Sequence, residues 1–258
     1  MNKGYKFAIG GIAAAALAGI TLTSTVFAGS TMPQTKMHAM PSKITVSKVY
    51  PVNTAQVDLM AKNTMSLKGK TITLQAMNTM GTKMSKSKST MMAKYNAMKK
   101  GFVLNNGKML TPGVTYKVKA NWAKLSMSSF TIPNLLSVQQ VGKNRLLVVY
   151  DQKVDPMSAT TPSNYWIQSN QAMASGIAEL GMNDKMTSMN GLTKSDVTIT
   201  KDGMSGMKYF FTFSSNITPG VKYTFMPCNV DAPGLSMYAG ANFNSDSANS
   251  FVGNTSGM

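Results

Sequence analysis

Short stretches in which apolar and polar residues alternate recur along most of the chain and predict β-strands. Clear examples are Ile44–Val49, Thr71–Gln75, Arg145–Tyr150 and Met207–Phe213. Alternation with a period of two is typical of a half-buried strand, because successive side chains point to opposite faces. Long amphipathic helical patterns are missing from the sequence. We therefore expect an all-β protein built from antiparallel β-sandwiches.

One stretch of this pattern occurs twice. Leu110–Val118 returns 107 residues later as Ile217–Phe225, and both copies contain Thr-Pro-Gly-Val-x-Tyr. Proline presets its own φ and glycine accepts a positive φ, so each copy predicts a type II turn that leads into a strand. The repeat indicates that the chain contains two copies of one β unit.

The early strands of the two units align at a different offset. Val49, Val57 and Leu59 fall on Val138, Leu146 and Val148 when the sequence is shifted by 89 residues. The offset of 107 at the Pro-Gly turns then requires 18 extra residues in the second unit. We place them between Met173 and Lys194, a stretch rich in Gly, Asn, Met and Ser.

These observations divide the chain into five segments. The predicted segments are a signal peptide (1–28), a flexible leader rich in Met and Pro (29–43), a basic immunoglobulin-like sandwich (44–131), a second such sandwich (132–253) and a tail (254–258). In the first sandwich, a Tyr50-Pro51 break is expected after the first strand. The junction between the sandwiches is expected near Ser128–Pro133.

The N-terminal segment has the order of a secretory signal peptide. Lys3 and Lys6 precede an apolar run from Phe7 to Ile20, and the stretch closes on Ala28. The alternative is a membrane anchor, but the apolar run is short for a hydrocarbon core about 30 Å thick. We therefore expect cleavage after Ala28 and a secreted, extracellular or surface-associated protein with no transmembrane segment in the mature chain.

The chain has a single cysteine, Cys228, so an intramolecular disulfide is excluded. Two interpretations remain open. The thiol is either a small buried apolar group at the end of a strand or one half of an intermolecular disulfide.

Charge is distributed very unevenly between the two predicted units. Residues 42–131 hold fifteen lysines and one acid, Asp58, whereas residues 132–258 hold eight basic and eight acidic residues. A field of this sign attracts polyanions and is screened by salt. Anionic cell-wall or matrix polymers are the expected partners, and the alternative is that the lysines only keep the surface soluble.

The densest basic segment covers residues 83–100. In this segment Thr90 is expected to cap a short helix with Met91, Tyr95 and Met98 on one face. The predicted polyanion-binding residues are Lys83, Lys86, Lys88, Lys94, Lys99 and Lys100. Few aromatic residues accompany the lysines, so sequence-specific nucleic-acid binding is not expected.

Two weak metal sites are suggested by residue type. The candidate copper ligands are Met32, Met37, His38 and Met40. Thioethers suit Cu(I), although methionine also serves as a flexible apolar filler or an oxidation sink. The candidate calcium ligands are Asp151, Asp155 and Asp231, which also have a simpler explanation as turn residues.

The second unit resembles the immunoglobulin-like domains of bacterial surface-layer proteins. The matching stretches are Val148–Asp155, Ser158–Tyr165, Ile217–Thr224, Val230–Gly234 and Ser250–Gly253. The resemblance implies a seven-stranded sandwich used as a spacer or assembly module, with no catalytic residues to carry over. The first unit lacks the Asp-rich part of this pattern and joins the family only through the internal repeat.

Catalytic chemistry has little support in the sequence. The chain has one histidine, one cysteine and one glutamate, and His38 lies in the leader, so a Ser-His-Asp or Cys-His arrangement is nearly excluded. The first hypothesis is therefore a non-enzymatic structural protein that assembles with itself into a surface layer or filament. The second is a polyanion-binding module, and the third is copper binding through methionine and histidine.

Overall fold

The computed structural model describes residues 43–61, 67–77, 90–235, 238–244 and 249–255. The predicted signal peptide and nearly all of the leader lie outside these residues. The described residues belong to one compact unit, and their regular structure is almost entirely β, as the alternating pattern predicted.

The described residues of the first half of this unit form eight strands. They are β1 (Ile44–Asn53), β2 (Gln56–Ala61), β3 (Thr71–Met77), β4 (Thr90–Asn96), β5 (Gly101–Leu104), β6 (Thr115–Lys119), β7 (Ala123–Leu125) and β8 (Ser129–Thr131). They form one sheet in the order β7-β1-β2-β5-β4-β3-β6-β8, antiparallel except for the β1–β7 pair. The sheet folds around an apolar core that includes Val49, Leu74 and Phe102.

In the second half, seven strands lie within the described ranges. They are β9 (Leu135–Gly142), β10 (Arg145–Tyr150), β11 (Tyr165–Ser169), β12 (Val197–Lys201), β13 (Lys208–Phe213), β14 (Lys222–Pro227) and β15 (Ser250–Val252), with a short helix α1 (Pro156–Ala159) after β10. Two sheets result, β12-β13-β10-β9 and β11-β14-β15. This four-plus-three arrangement is that of a constant-type immunoglobulin sandwich. A second apolar core, with Leu146, Phe211 and Phe225, lies between the sheets.

The first hairpin of each half has the same register. Val49 pairs with Leu59 in β1–β2, and Val138 pairs with Val148 in β9–β10. All six residue pairs of the first hairpin reappear in the second after a shift of 89, and both hairpins have their two register irregularities at matching positions. The predicted alignment is therefore confirmed, and the duplication includes the irregularities of the hairpin.

The two Pro-Gly turns also share their geometry. Gly113 and Gly220 have φ of 82° and 78°, the positive values that a type II turn requires at this position. Each turn begins with a threonine, and the buried tyrosine five residues later bonds to that threonine. In the first half, Tyr116 Oη accepts a hydrogen bond from the backbone N of Thr111 at 2.8 Å. The corresponding distance from Tyr223 Oη to Thr218 N is 2.9 Å. Each half therefore contains a tyrosine corner, a feature of immunoglobulin-like folds.

Two local predictions are wrong. Thr90 does not cap a helix, because Met91 and Ala93 point into the core while Met92 and Lys94 point outward, so the segment is strand β4. The Tyr50-Pro51 break does not occur either: β1 continues through Pro51, which pairs with Val57.

The predicted junction near Ser128–Pro133 contains strand β8 (Ser129–Thr131) and the start of the link to β9. The link that follows is buried: Ile132 lies in the first core and Leu135 in the second. A link this short holds the two cores against each other. Whether 44–131 and 132–253 are independent domains stays a prediction.

A loop from the second half, residues 238–242, packs beside the link between the two halves. We call the link and this loop the joint. Tyr238 is buried in the first core, and the backbone N of Ala239 donates to Val52 O at 2.7 Å. Asn242 is fully buried between the halves. Its Nδ2 donates to Pro133 O at 3.0 Å and to Val230 O at 2.8 Å, and its Oδ1 accepts from Val230 N at 2.8 Å. The side chain thus has all of its hydrogen-bonding groups engaged at the joint.

The predicted insertion in the second half lies between β11 and β12 and covers the free edge of β11. Ser169 N donates to Leu180 O, Leu180 N donates to Ile167 O and Leu192 N donates to Tyr165 O. These bonds use the outward-facing backbone groups of β11. The extra residues therefore protect a strand edge that would otherwise be open.

Candidate functional site

One outer sheet surface of the first half carries lysines from two strands. Lys117 and Lys119 point outward from β6, and Lys94 points outward from β4. Strand β3 lies between them and contributes Thr73, which pairs with Lys119 on one side and Met92 on the other. We call this surface the lysine face: Lys94, Lys117 and Lys119 together with Thr73, Gln75 and Met92.

The rows of the lysine face follow from the strand register. Gln75 pairs with Lys117 on β6 and with Thr90 on β4, one row away from Thr73. Rows on one face of a sheet lie about 7 Å apart, and neighbouring strands about 4.8 Å apart. The register thus puts Lys119 beside Thr73 and Lys117 beside Gln75, with Lys94 one row beyond Thr73 on β4. Thr73 and Gln75 carry a hydroxyl and an amide that can donate hydrogen bonds to an anion.

Only three of the six predicted polyanion-binding lysines are in the described part of the chain, since Lys83, Lys86 and Lys88 lie outside it. Lys94 belongs to the lysine face. Lys99 and Lys100 instead occupy the turn between β4 and β5, at the end of the sheet. Asn96 Oδ1 accepts from the backbone N of Lys99 at 3.1 Å, and Lys100 has φ of 50°. The predicted set is therefore not a single surface as far as the described residues reach.

Sequence reasoning missed Lys117 and Lys119. The prediction grouped lysines by their density along the chain, but a sheet face collects alternate residues from neighbouring strands. The necessary signal was present in Tyr116-Lys117-Val118-Lys119, where alternation puts both lysines on the solvent side.

Asp58, the single acid of the first half, lies in β2 opposite Tyr50. The Tyr50 hydroxyl donates to Asp58 Oδ2 at 3.4 Å, and the backbone N of Leu59 donates to Oδ1 at 2.7 Å. Burial raises the pKa of the Asp58 carboxyl, partly opposed by these two hydrogen bonds. One partly buried carboxylate cannot balance fifteen lysines, so the first half keeps its positive field.

The three candidate calcium ligands perform turn and cap roles. Asp151 Oδ1 accepts from Asn134 N at 2.9 Å, and Asp155 Oδ2 accepts from Ser158 N at 3.0 Å to cap helix α1. Asp231 Oδ1 accepts from Tyr238 N at 3.0 Å. Among the described residues, no group of three or more His, Cys, Asp or Glu side chains is placed to hold a metal ion. Calcium binding therefore gains no support from the geometry.

Copper binding stays untested, because Met32, Met37, His38 and Met40 all lie outside the described residues. Methionines elsewhere are largely exposed. Met98, Met189 and Met204 are more than 90% exposed, whereas Met91 and Met226 are buried. Most methionine side chains in the described part of the chain thus contribute to the surface and not to the core.

The Cys228 thiol follows strand β14 and is buried, in contact with the small apolar cluster around Trp166. Burial raises its pKa from 9.0 to about 11. A protonated thiol inside the fold is a poor nucleophile. The buried interpretation therefore fits the geometry, and the intermolecular disulfide does not.

Comparisons with known proteins give a distant structural likeness. No protein-family model and no curated protein matches the chain. The solved structures that match include domains 1–6 of the surface layer protein SbsC and the N-terminal part of the bacterial S-layer protein SbsC. Each match has a TM-score of 0.30, 18% identity and 47% coverage of this chain.

The matched stretch spans 14% and 23% of those two solved chains. At this identity and TM-score the likeness carries no conclusion about function. In the described part of the chain, no helix has the length and apolar character needed to cross a membrane.

Proposed function

We propose that this chain is a secreted, non-enzymatic structural protein of the cell surface or extracellular matrix that assembles with itself. The observation that carries the proposal is the buried joint. Ile132 and Leu135 belong to different cores, and Asn242 hydrogen-bonds both the link and the second half. A tandem unit of fixed geometry suits a spacer or a building block, whereas hinged halves suit the closure of a binding cleft.

Two further features support this function. The N-terminal sequence has the order of a secretory signal peptide, which predicts an extracellular location. The three candidate calcium-binding aspartates accept hydrogen bonds from backbone groups of turns and of a helix cap, which are structural roles.

Assembly is tested on the mature chain, residues 29–258, purified in its folded form. Multi-angle light scattering and negative-stain electron microscopy across salt concentrations should detect species larger than one chain. A protein that stays monomeric at every concentration and ionic strength would contradict the self-assembly part of the proposal.

The lysine face favours a second candidate function, binding of an anionic cell-wall or matrix polymer. Lys94, Lys117 and Lys119 are all exposed, and Thr73 and Gln75 between them offer hydrogen bonds. Multivalent contact between lysines and a polyanion releases counterions, so its affinity falls as salt rises.

This candidate is tested with long-chain polyphosphate as the probe. Replacement of Lys94, Lys117 and Lys119 by Gln should weaken binding and reduce the dependence of log K on log salt. The matched control replaces Lys153, Lys185 and Lys208, three exposed lysines of the second half, and removes the same charge. Equal losses in both triple variants would show that net charge, and not the lysine face, determines binding.

A further inference from the structure

Strand β12 forms an edge of the four-stranded sheet, and its backbone can pair with another strand. Ser214 N donates to Asp196 O, and Asp202 N donates to Lys208 O, which fixes the even-numbered residues as those bonded to β13. The odd-numbered residues of an antiparallel strand then point their backbone groups away from the partner. Ile199 and Lys201 therefore direct N–H and C=O groups to the outside.

These outward groups have no partner in the described structure. Only the Val197 N–H is occupied, by Thr193 O at 3.2 Å, at the start of the strand. The outer edge thus offers the Val197 carbonyl and both backbone groups of Ile199 and Lys201. An unpaired edge of this kind is a template for adding a strand.

The other edges of the second half are short, covered or in contact with residues near the C-terminus. The insertion bonds to the edge of β11, as described above. On β9, Gln140 Oε1 accepts from Asn254 N at 2.9 Å and Gln140 Nε2 donates to Asn254 O at 3.2 Å. Strand β15 has three residues, as do the edge strands β7 and β8 of the first half. Within the described ranges the long edges are therefore β9 and β12, and on β9 Asn254 lies against the Gln140 side chain near the end of the strand.

Charge indicates which partner fits this edge. The second half is formally neutral, with eight basic and eight acidic residues, whereas the first carries fifteen lysines and one acid. Two copies that meet through β12 bring neutral halves together and keep the two positive halves away from the contact. A second copy of the chain is therefore electrostatically suited to this edge.

The sequence of the edge selects a register for two antiparallel copies. With Thr200 on the two-fold axis, Ile199 lies opposite Lys201 of the other copy, and Thr198 lies opposite Asp202. Four backbone hydrogen bonds form, two on each side of the axis, and no like charges face each other. A register centred on Ile199 also allows four bonds but sets Asp196 against Asp202, and directly opposed like charges destabilise a pair.

We propose that two copies of this chain pair through β12, antiparallel and centred on Thr200. The proposal deepens the proposed function by naming its contact. Self-pairing of one edge closes a two-fold dimer, because both copies use the same edge. A surface array then needs a second, different contact, and the dimer is its building block.

The register is tested by disulfide trapping in the full mature chain. In this register the two Thr200 residues form a non-hydrogen-bonded pair with Cα atoms about 4.5 Å apart, within the range of about 4.4–6.8 Å that disulfides adopt. Thr200→Cys should give a disulfide-linked dimer under mild oxidation. The native Cys228 is buried and should not contribute.

Thr198→Cys is the matched control on the same strand and face. Its two copies lie about 14 Å apart along the strand in the proposed register, so it should not cross-link. A register centred on Ile199 puts both cysteine variants at equal separations. The proposal would be overturned if the two cysteine variants cross-linked equally, or if Thr200→Cys did not cross-link at all.

A second variant removes a backbone donor and leaves the fold unchanged. Lys201→Pro deletes an outward N–H that β12 does not use in pairing with β13, so the sheet tolerates it while the dimer should be lost. Lys201→Ala keeps the N–H and should still dimerise. Analytical ultracentrifugation reports both, and circular dichroism checks folding.

The outcomes separate this proposal from the proposed function. A trapped dimer without larger particles supports the β12 contact and contradicts the array. Large particles that form equally in Lys201→Pro contradict the β12 contact and leave self-assembly intact. A wild-type protein that remains monomeric contradicts both.

Discussion

Replacement of Asn242 by Ala tests whether the joint is a major source of stability. The side chain is fully buried and makes three hydrogen bonds, to Val230 N, Val230 O and Pro133 O. Alanine removes all three and is too small to fill the space. The Val230 N–H then has no acceptor in a region that water does not reach.

The cost follows from typical values for buried polar groups. A buried donor left unsatisfied costs about 1–3 kcal/mol, and each lost bond to a carbonyl about 0.5–1.5 kcal/mol. The sum is about 2–6 kcal/mol, a large part of the 5–15 kcal/mol that folded proteins typically have. For a protein of this size, each kcal/mol lowers Tm by about 2–4 °C, so we expect a fall of roughly 10 °C.

Urea denaturation followed by fluorescence and circular dichroism measures this change. Asn183→Ala is the control, because Asn183 is exposed in a turn and should change stability by no more than about 0.5 kcal/mol. Asn242→Asp has nearly the same shape but presents an oxygen to the Pro133 and Val230 carbonyls. If polar bonding holds the joint, Asp is at least as destabilising as Ala. An Ala variant within 1 kcal/mol of wild type would refute the reasoning.

The remaining predictions concern the repeated turn and the sulfur groups. Tyr116→Phe and Tyr223→Phe should each cost about 1–3 kcal/mol in urea denaturation, because each leaves a turn N–H without its acceptor; clearly unequal costs would contradict equivalent corners. The raised pKa of Cys228 means that the folded state holds the thiol proton more tightly than the unfolded state. The protonated thiol therefore contributes its full stabilisation below pH 9.0, and this contribution is lost as pH rises toward 11. Because the thiol is buried and protonated, thiol labelling of the native protein should be slow at pH 8. Rapid labelling would contradict burial. Mild peroxide should oxidise exposed methionines well before Met91 and Met226, as peptide mass spectrometry can show, and uniform oxidation would contradict their burial.

Much of the fold could be predicted because strand pattern and repeat are local signals. The alternation of β6 and β14 identified both strands, and the offset of 89, which aligns Val49 with Val138 and Leu59 with Val148, matches the shared register of the two hairpins. The segment from Thr90 to Asn96 misled the prediction, because methionine and alanine suit a helix as well as a strand. Its strand pairs, Met91 with Leu74 and Tyr95 with Phe102, come from distant residues and decide its structure.

The candidate site was harder to predict than the fold. Lysine density along the chain identified Lys94 but not Lys117 or Lys119, since those lysines become its neighbours only through the order of β4, β3 and β6. The open edge of β12 depends on which outward groups other segments cover. No local sequence pattern shows which strand edge is covered. The covered edges became visible only from the hydrogen bonds that the insertion and Gln140 make in the structure.

If the lysine face binds a long polymer, as proposed, the buried joint also determines how strongly the protein holds it. Because the two halves are fixed to each other, a dimer formed through β12 presents two lysine faces at one constant separation. A polymer bound to the first face then meets the second at a high effective concentration, and no flexible linker has to be ordered. Weak contacts at each lysine face can thus combine into tight attachment, and the spacing between the two faces sets the shortest polymer that benefits.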